Sequence, residues 1–246
     1  MKLNWTIALM CVATLTFVAC KDKNQPEDNS DSDVEYTAKI SVSDNSVADW
    51  DKLDPSTVAV SKVTPNALWG GVHMIKVYAD EVYINWMMVF DPKKYVQHRD
   101  VDQMHVFLDI DHSTKTGGYF DLFQDACADL MFEGAIYNAG APVPYSPSVY
   151  EWKGEVNGID WENWSLLATM VGESQIVNDS TLEARLMIER IPGKDKFSKE
   201  GFGFGVTLTQ NFEPAAVGYL PQGDSPDGEN LGRLNLLSVK FTKTMQ

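Results

Sequence analysis

Basic residues are the minority charge in this chain of 246 residues. Twenty lysines and arginines stand against 35 aspartates and glutamates, which gives a formal net charge of −15 at pH 7. An acidic body repels phosphate backbones, and no part of the sequence forms a basic stripe, so nucleic acid is not an expected partner. Anionic membrane surfaces are disfavoured for the same reason.

Catalytic and cofactor motifs are also missing. The sequence contains no H-E-x-x-H, G-x-S-x-G or G-x-G-x-x-G pattern, and it lacks the E-x-D-x-x-E or E-x-D-x-E strand of the sandwich-fold family 16 glycoside hydrolases. No C-x-x-C-H haem attachment motif occurs, which leaves His73, His105 and the methionines as the available axial ligands. We therefore expect a protein that is not an enzyme; a glycoside hydrolase of unrecognised type and a haem protein are the less favoured alternatives.

The N-terminus has the features of a bacterial lipoprotein signal. Lys2 supplies a short basic region, and Trp5–Ala19 is an apolar run that is short for a membrane span. Phe17-Val18-Ala19-Cys20 resembles a lipobox, with Phe17 where leucine is usual, so residues 1–19 are expected to be removed and Cys20 to be lipidated. The alternative is an ordinary secretion signal with an incidental cysteine.

Residues 20–35 are polar and acidic, which predicts a flexible tether. The acids close behind Cys20 resemble the export signal of surface lipoproteins in the Bacteroides group. This resemblance implies a protein anchored in the outer membrane and exposed at the cell surface, in contact with the membrane through its lipid alone.

Cysteine is scarce. Of three cysteines, Cys11 leaves with the signal and Cys20 is acylated, so Cys127 is alone in the mature chain and no internal disulfide can form. Cys127 lies among apolar residues with no histidine near it in the sequence, which predicts a buried and inert thiol.

No segment keeps a helical period, whereas short extended segments recur through residues 36–246. The clearest is a hairpin of Gly71–Ala79 and Val82–Phe90, joined at Asp80-Glu81. A brief helical turn is expected near Asp195–Lys199. The other predicted strands are Tyr36–Ser43, Thr57–Val63, Gln103–Asp111, Asp129–Tyr137, Val149–Val156, Trp164–Val171, Gln175–Val177, Leu182–Glu189, Gly201–Gln210 and Leu234–Thr242. About ten strands predict one all-β domain, a jelly-roll-type antiparallel β-sandwich.

The run from Met104 to Ile110 is apolar at nearly every position, which predicts a central strand covered on both sides. Asp109 and Asp111 leave the same face at its end, because they are two residues apart. Carboxylates are ligands that calcium prefers, so these residues suggest a calcium site. Further oxygen ligands could come from Ser113, Thr114, Asp121 and loop carbonyls, with Asp129 and Glu133 as an extension of the cluster. The alternative is a solvated loop whose hydroxyl groups satisfy turn N–H groups.

Aromatic residues suggest a second kind of site, because sugars bind to flat aromatic rings flanked by groups that bond hydroxyls. Trp86 lies mid-strand and is expected in the core, and Trp50 is expected to pack a turn. The candidate stacking residues are Tyr150, Trp152, Trp161 and Trp164, with Trp69 as an addition and Glu162 and Asn163 as hydroxyl partners. The alternative is that these rings fill the core and rim of the sandwich.

The order of short patterns resembles the DOMON-like superfamily that includes the family 9 carbohydrate-binding modules. The patterns are Ala48-Asp49-Trp50, VYADEVYINWMMVF, VFLDIDHSTKTGG, ADLMFEG, EARLMIERIP, GFGFGVTLTQ and YLP, and they span most of Ile40–Phe241. The resemblance implies a jelly-roll sandwich that binds a ligand without catalysis. Family 9 modules hold sugars between tryptophans and carry structural calcium, while other DOMON members hold haem.

Together these observations predict a non-catalytic, carbohydrate-binding lipoprotein of the cell surface that serves a glycan-capture system. Its expected partners are a glycan or oligosaccharide and, beyond that, proteins of the envelope. The alternative from another class is a structural or protein-interaction subunit of an envelope complex.

Overall fold

Two antiparallel sheets, packed against each other, make up the fold. The structure is a computed structural model that describes residues 36–63, 70–91, 102–118, 126–156, 158, 160–210, 216–221 and 236–243. Residues Ala38–Gln246 form one compact unit. None of the helices in the described ranges has the length and apolar character needed to cross a membrane.

The smaller sheet has five strands in the order β1-β2-β3-β10-β9. The larger has eight: the order β12-β11-β4-β5-β7-β8 is extended by β13, which pairs with β11, and β6, which pairs with β5. The strand bounds are β1 Ala59–Lys62, β2 Val72–Ala79, β3 Tyr83–Phe90, β4 Asp102–Asp109, β5 Leu130–Asn138, β6 Ala141–Pro142, β7 Ser148–Trp152, β8 Trp164–Thr169, β9 Glu173–Asn178, β10 Thr181–Met187, β11 Phe202–Gln210, β12 Ala216–Leu220 and β13 Leu237–Val239. The sheets do not close into a barrel, and the predicted all-β sandwich is confirmed.

The helical elements that the structure describes are single 3-10 turns. They span Trp50–Lys52, Pro55–Thr57, Trp161–Asn163, Ile188–Arg190 and Lys194–Lys196. The last of these confirms the helical turn expected near Asp195, although it begins one residue earlier.

The core lies between the sheets and is filled by alternate side chains of their strands. Trp86 of β3 is fully buried, with its ring 5.8 Å from that of Phe204 on β11 and 5.8 Å from that of Tyr145. Strand β4 runs between β11 and β5, so the prediction of a central strand is confirmed. Its even-numbered residues, Met104 to Leu108, join this core, while its odd-numbered residues face outward from the larger sheet.

One predicted strand is wrong. Tyr36–Ser43 forms bends and turns instead of pairing with a neighbour. Its apolar residues alternate because the segment lies on the outer face of the smaller sheet, where Ile40 and Val42 pack with Trp50, Tyr78 and Met87. Alternating apolar residues indicate that one side of a segment is buried. A segment that lies across a sheet without pairing shows this pattern as readily as a hydrogen-bonded strand does.

Two strands were not expected from the sequence. The short β6 lies inside the Gly/Pro-rich connection NAGAPVP, and β12 lies between Gln210 and Leu234, where no strand is predicted. The last strand, β13, ends at Val239 and not at the predicted Thr242, while the first two residues of the predicted strand lie outside the described residues. The prediction that Cys127 is buried is confirmed.

Candidate functional site

The loop after β4 folds back and is fastened to the segment that precedes β5. Gly118 and Ala128 exchange two backbone hydrogen bonds, of 3.0 and 2.7 Å. Gly117 has a φ of +71°, and a Cβ on it would lie 2.2 Å from the carbonyl oxygen of Cys127. Only glycine fits this position, so the sequence Gly117-Gly118 fixes how the loop closes.

This closure brings three aspartates together. One carboxylate oxygen from each of Asp109, Asp111 and Asp129 lies within 4.8 Å of the others. Backbone N–H groups orient them: His112 donates to Asp109 at 2.8 Å, and Ile110 donates to Asp129 at 2.9 Å. The Thr116 hydroxyl donates to both oxygens of Asp111 at 3.0 Å.

Burial dominates the electrostatics of this cluster. It raises the pKa of Asp109 to about 6, and the Asp111 charge adds to the rise. Burial also raises the pKa of Asp129 to about 6, with further contributions from Asp111 and Asp109. The described residues place no lysine or arginine in a salt bridge with the three, and the His112 Nδ1 lies 3.9 Å from a carboxylate oxygen of Asp109. Such a cluster favours a cation or protons.

The donors are hard oxygens, which suits calcium. Of the predicted ligands, Asp109 and Asp111 are brought together, whereas Asp121 lies outside the described residues. Asp129, expected as an extension of the cluster, joins them. Glu133, expected as another extension, lies further along β5 and pairs with His105 instead, with Oε2 2.9 Å from Nε2.

A cavity of about 780 Å³ opens beside the aspartates, at one end of the sandwich. Its walls are the loop after β4, the β7–β8 connection, and the turn around Lys196. Asp111 and Asp129 line one side, and Glu151, Trp152 and Lys153 line another. Apolar contributions come from Leu167 and Val156. Charged, aromatic and aliphatic groups thus share one concave space.

Glu151 is the charged centre of the part of the cavity wall that β7 supplies. Its carboxylate accepts hydrogen bonds from Lys153 and, at 3.2 Å, from Lys196. The hydrogen bond from Lys153 lowers the pKa of Glu151. Because the two lysines belong to different loops, Glu151 holds both at the cavity wall.

Trp152 lines this cavity and also belongs to the apolar cluster on the outer face of the larger sheet. A Cβ on Gly118 would lie 2.4 Å from Cδ2 of the indole, and a Cβ on Gly154 would lie 2.6 Å from its Cζ2. The indole N–H donates to the carbonyl oxygen of Glu155 at 2.9 Å. Trp164 packs against it edge to face at 5.2 Å. Only 7% of Trp152 remains exposed, so its ring faces are packed against protein.

The aromatic residues predicted to form one sugar-stacking site therefore lie in different surroundings. Trp152 and Trp164 pack together with Phe107 and Met131, and the buried N–H of Trp164 has no hydrogen-bond partner among the described residues. Trp161, 46% exposed, stands edge-on over His105 at 5.9 Å and is not among the cavity-lining residues. Tyr150 lies half-buried on the outer face.

The predicted hydroxyl partners, Glu162 and Asn163, lie in different surroundings. Glu162 is exposed, and the carbonyl oxygen of Asn163 accepts from the Lys153 N–H at 2.9 Å. Trp69 lies outside the described residues. The stacking role assigned to these residues stays a prediction.

The two histidines considered for haem differ in their surroundings. His105 is buried, and its Nε2 and Nδ1 lie 2.9 Å from Glu133 and 3.4 Å from Thr207. His73 is exposed on β2. Both ring nitrogens of His105 therefore have protein partners.

Sequence reasoning did not single out Glu151, Lys153 or Lys196. They meet only because β5 pairs with β7 and the turn at Lys194–Lys196 packs across the end of the sheet. Nothing in their spacing indicates this. A search of known families finds no model that matches the chain, and a search of curated proteins finds no match either.

Proposed function

We propose that the protein binds carbohydrate in the end cavity and does not modify it. The observation that carries the proposal is the cavity itself, because it combines hydrogen-bonding side chains with the Trp152 indole in about 780 Å³. Ligand sites are typically concave, with apolar walls and a few convergent polar groups. The resemblance to family 9 carbohydrate-binding modules supports the same class of ligand.

The chemistry of the cavity suits a sugar. Saccharide hydroxyls both donate and accept hydrogen bonds, so they can use carboxylates such as Glu151 and ammonium groups such as Lys153 and Lys196. The apolar face of the sugar would contact the accessible edge of Trp152 together with Leu167. In this proposal Trp152 shapes the cavity wall, and open-face stacking is not required of it.

Calcium is proposed as a structural ion at Asp109, Asp111 and Asp129, with Asp121 as a further predicted ligand. Its charge would offset three clustered carboxylates that have no lysine or arginine partner among the described residues. It would also fasten the loop that forms one wall of the cavity.

The proposed setting is the outer membrane, with Cys20 lipidated and residues 20–35 as the tether. A binding domain on such a tether would serve glycan capture at the cell surface. The signal, the tether and the resemblance together support this location.

A glycan array followed by calorimetry with the soluble fragment Lys21–Gln246 tests the function. The proposal expects binding to at least one glycan, and at least a tenfold loss of affinity in Glu151→Gln and Lys196→Ala. Glu189→Gln is the matched control, because this exposed glutamate pairs with Lys194 away from the cavity walls. Melting curves of each variant separate lost binding from lost folding. Absence of binding to any glycan would defeat the proposal.

Trp161 offers a second place for the same ligand. Its exposed indole stands over His105, which pairs with Glu133 on the outer face of the larger sheet. If Trp161→Ala abolishes binding while Glu151→Gln leaves it unchanged, the sugar lies on this face and the cavity assignment is wrong.

A further inference from the structure

Three lysines from three different segments meet at the end cavity. Lys115 lies in the loop after β4, Lys153 lies in the β7–β8 connection, and Lys196 lies in the 3-10 turn Lys194–Lys196. The whole chain has 20 basic residues against 35 acidic ones, whereas the cavity lining has as many lysines as carboxylates. Basic side chains are therefore enriched at the place where the ligand is proposed to bind.

These lysines carry more positive charge than the carboxylate paired with them offsets. Lys153 and Lys196 share the single carboxylate of Glu151, so these three side chains together retain one positive charge. Lys115 is exposed and forms no salt bridge within the described ranges, so its ammonium group adds a second. The side chains of Lys153 and Lys196 are 53% and 63% exposed, which leaves both ammonium groups accessible to a ligand.

The other acidic lining residues suit a different part of a sugar. Asp111 accepts hydrogen bonds from the Ser113 N–H and the Thr116 hydroxyl, and Asp129 accepts one from the Ile110 N–H. A carboxylate has about four lone-pair sites, so each retains room to accept a hydrogen bond from a hydroxyl group of a sugar. The lining thus offers acceptors for hydroxyl groups together with ammonium groups that lack a full set of counter-ions.

We infer that the cavity selects a saccharide that carries an anionic group, either a carboxylate or a sulfate, and that the three lysines bind this group. The inference rests on the proposed function, because it names the class of sugar for the same site. A neutral sugar uses the hydroxyl acceptors but leaves the surplus lysine charge without a counter-ion, and a cationic amino sugar is repelled by it. An anionic group accepts charge-assisted hydrogen bonds, which are stronger than those between neutral groups.

The attraction is expected to be local. A chain with a net charge of −15 repels an anionic glycan at long range, so the preference arises from direct contacts inside the cavity. Because the lysine side chains are largely exposed, added salt screens these contacts and should weaken the binding of an acidic glycan more than that of a neutral one.

Matched pairs of glycans on an array test the inference, with the full chain in a non-ionic detergent. Oligogalacturonates and their methyl esters differ in the carboxylate charge, whereas sulfated galactan oligosaccharides and their desulfated forms differ in the sulfate. In at least one pair the charged member should bind about tenfold more tightly by calorimetry, and that pair identifies the anionic group. Chitosan oligosaccharides are the cationic probe and should not bind.

The outcomes separate this inference from the proposed function. Binding confined to neutral or amino glycans, or equal affinities within both pairs, would overturn the inference while the proposed function stands. Binding of no glycan would overturn both.

A lysine variant tests where the anionic group binds. Lys115→Gln removes a positive charge without leaving a carboxylate unpaired, and it should weaken binding of the acidic glycan about fivefold while changing that of a neutral glycan little. Lys194→Gln is the matched control, because it alters the net charge equally but Lys194 pairs with Glu189 and is not a cavity-lining residue. Lys196→Gln should repeat the effect of Lys115→Gln. Equal affinities of Lys115→Gln and Lys194→Gln for the acidic glycan would overturn the inference.

Discussion

Gly118 lies flat against the indole of Trp152, so close that a single added methyl group would fall 2.4 Å from Cδ2 of the ring. This contact joins two parts of the cavity wall, because Gly118 lies in the loop that bears Asp111, and Trp152 is the last residue of β7. The geometry of the aspartates and the shape of the end cavity therefore depend on each other.

Gly118→Ala should destabilise the fold by about 1 to 3 kcal/mol, as overpacking of a close contact does. Urea denaturation measures the loss, and Ser165→Ala, on the exposed side of β8, is expected to change little. In a Trp152→Leu background the cost of Gly118→Ala should shrink, since the obstructing ring is gone. An unchanged cost in that background would show that the ring is not its cause.

Calcium should raise the melting temperature. The ion offsets the repulsion among Asp109, Asp111 and Asp129, and binding to the folded state alone stabilises it. Asp109→Asn should erase the increase, while Asp51→Asn, at an exposed site in the 3-10 turn Trp50–Lys52, should retain it. Superimposable melting curves in calcium and in chelator would refute a folding role for the ion.

In chelator, the pH dependence of stability should be set partly by the two raised pKa values. The folded-state pKa of Asp109 and Asp129 is about 6, above the ordinary value of 3.8, so the folded chain binds more protons between these limits. Their contribution is fully present below about pH 4 and is lost as pH rises through about 6. Asp129→Asn should therefore flatten the fall in melting temperature between pH 4 and pH 7, when compared with the unaltered chain.

Burial also raises the pKa of Glu183, so this group too favours folding at low pH. The contribution of Asp129 is therefore measured as the difference in slope between Asp129→Asn and the unaltered chain. An equal slope in the two proteins would show that Asp129 does not hold its proton as the geometry requires.

The stability of the N-terminal segment 36–53, which packs on the outer face of the smaller sheet, should depend on one buried hydrogen bond. The indole N–H of Trp50 donates to one carboxylate oxygen of Glu183 at 2.6 Å, and the side-chain amide of Gln175 donates to the other at 2.6 Å. Trp50→Phe should cost about 1 to 3 kcal/mol, because it leaves a buried carboxylate with a donor missing. Chemical denaturation provides the measurement, with Trp161→Phe as an exposed control. If Trp50→Phe lowers the free energy of unfolding no more than Trp161→Phe does, the N-terminal segment is held by apolar packing alone.

The sequence predicted the parts of the molecule that depend on local pattern. Apolar runs in the sequence predicted the hairpin of β2 and β3 and the central strand β4, and the structure contains both. The aspartates at the end of β4 were expected from their spacing. Asp129 joins them because β4 and β5 pair in a register that sets Leu108 opposite Leu130.

The parts that were missed depend on contacts between distant segments. Glu151 and Lys196 are 45 residues apart and meet only in the folded chain. The exposure of an indole is likewise a property of packing: Trp152 and Trp161 look alike in sequence, yet three glycines close around Trp152 whereas Trp161 projects toward solvent.

The most direct test of ligand binding in the end cavity is the pair of indole N–H resonances of Trp152 and Trp161, followed by NMR while a glycan identified on the array is added. Assignments come from Trp152→Phe and Trp161→Phe. Cavity binding predicts that the Trp152 resonance shifts progressively to saturation while that of Trp161 stays in place. A shift confined to Trp161, or no shift of either resonance, would contradict it.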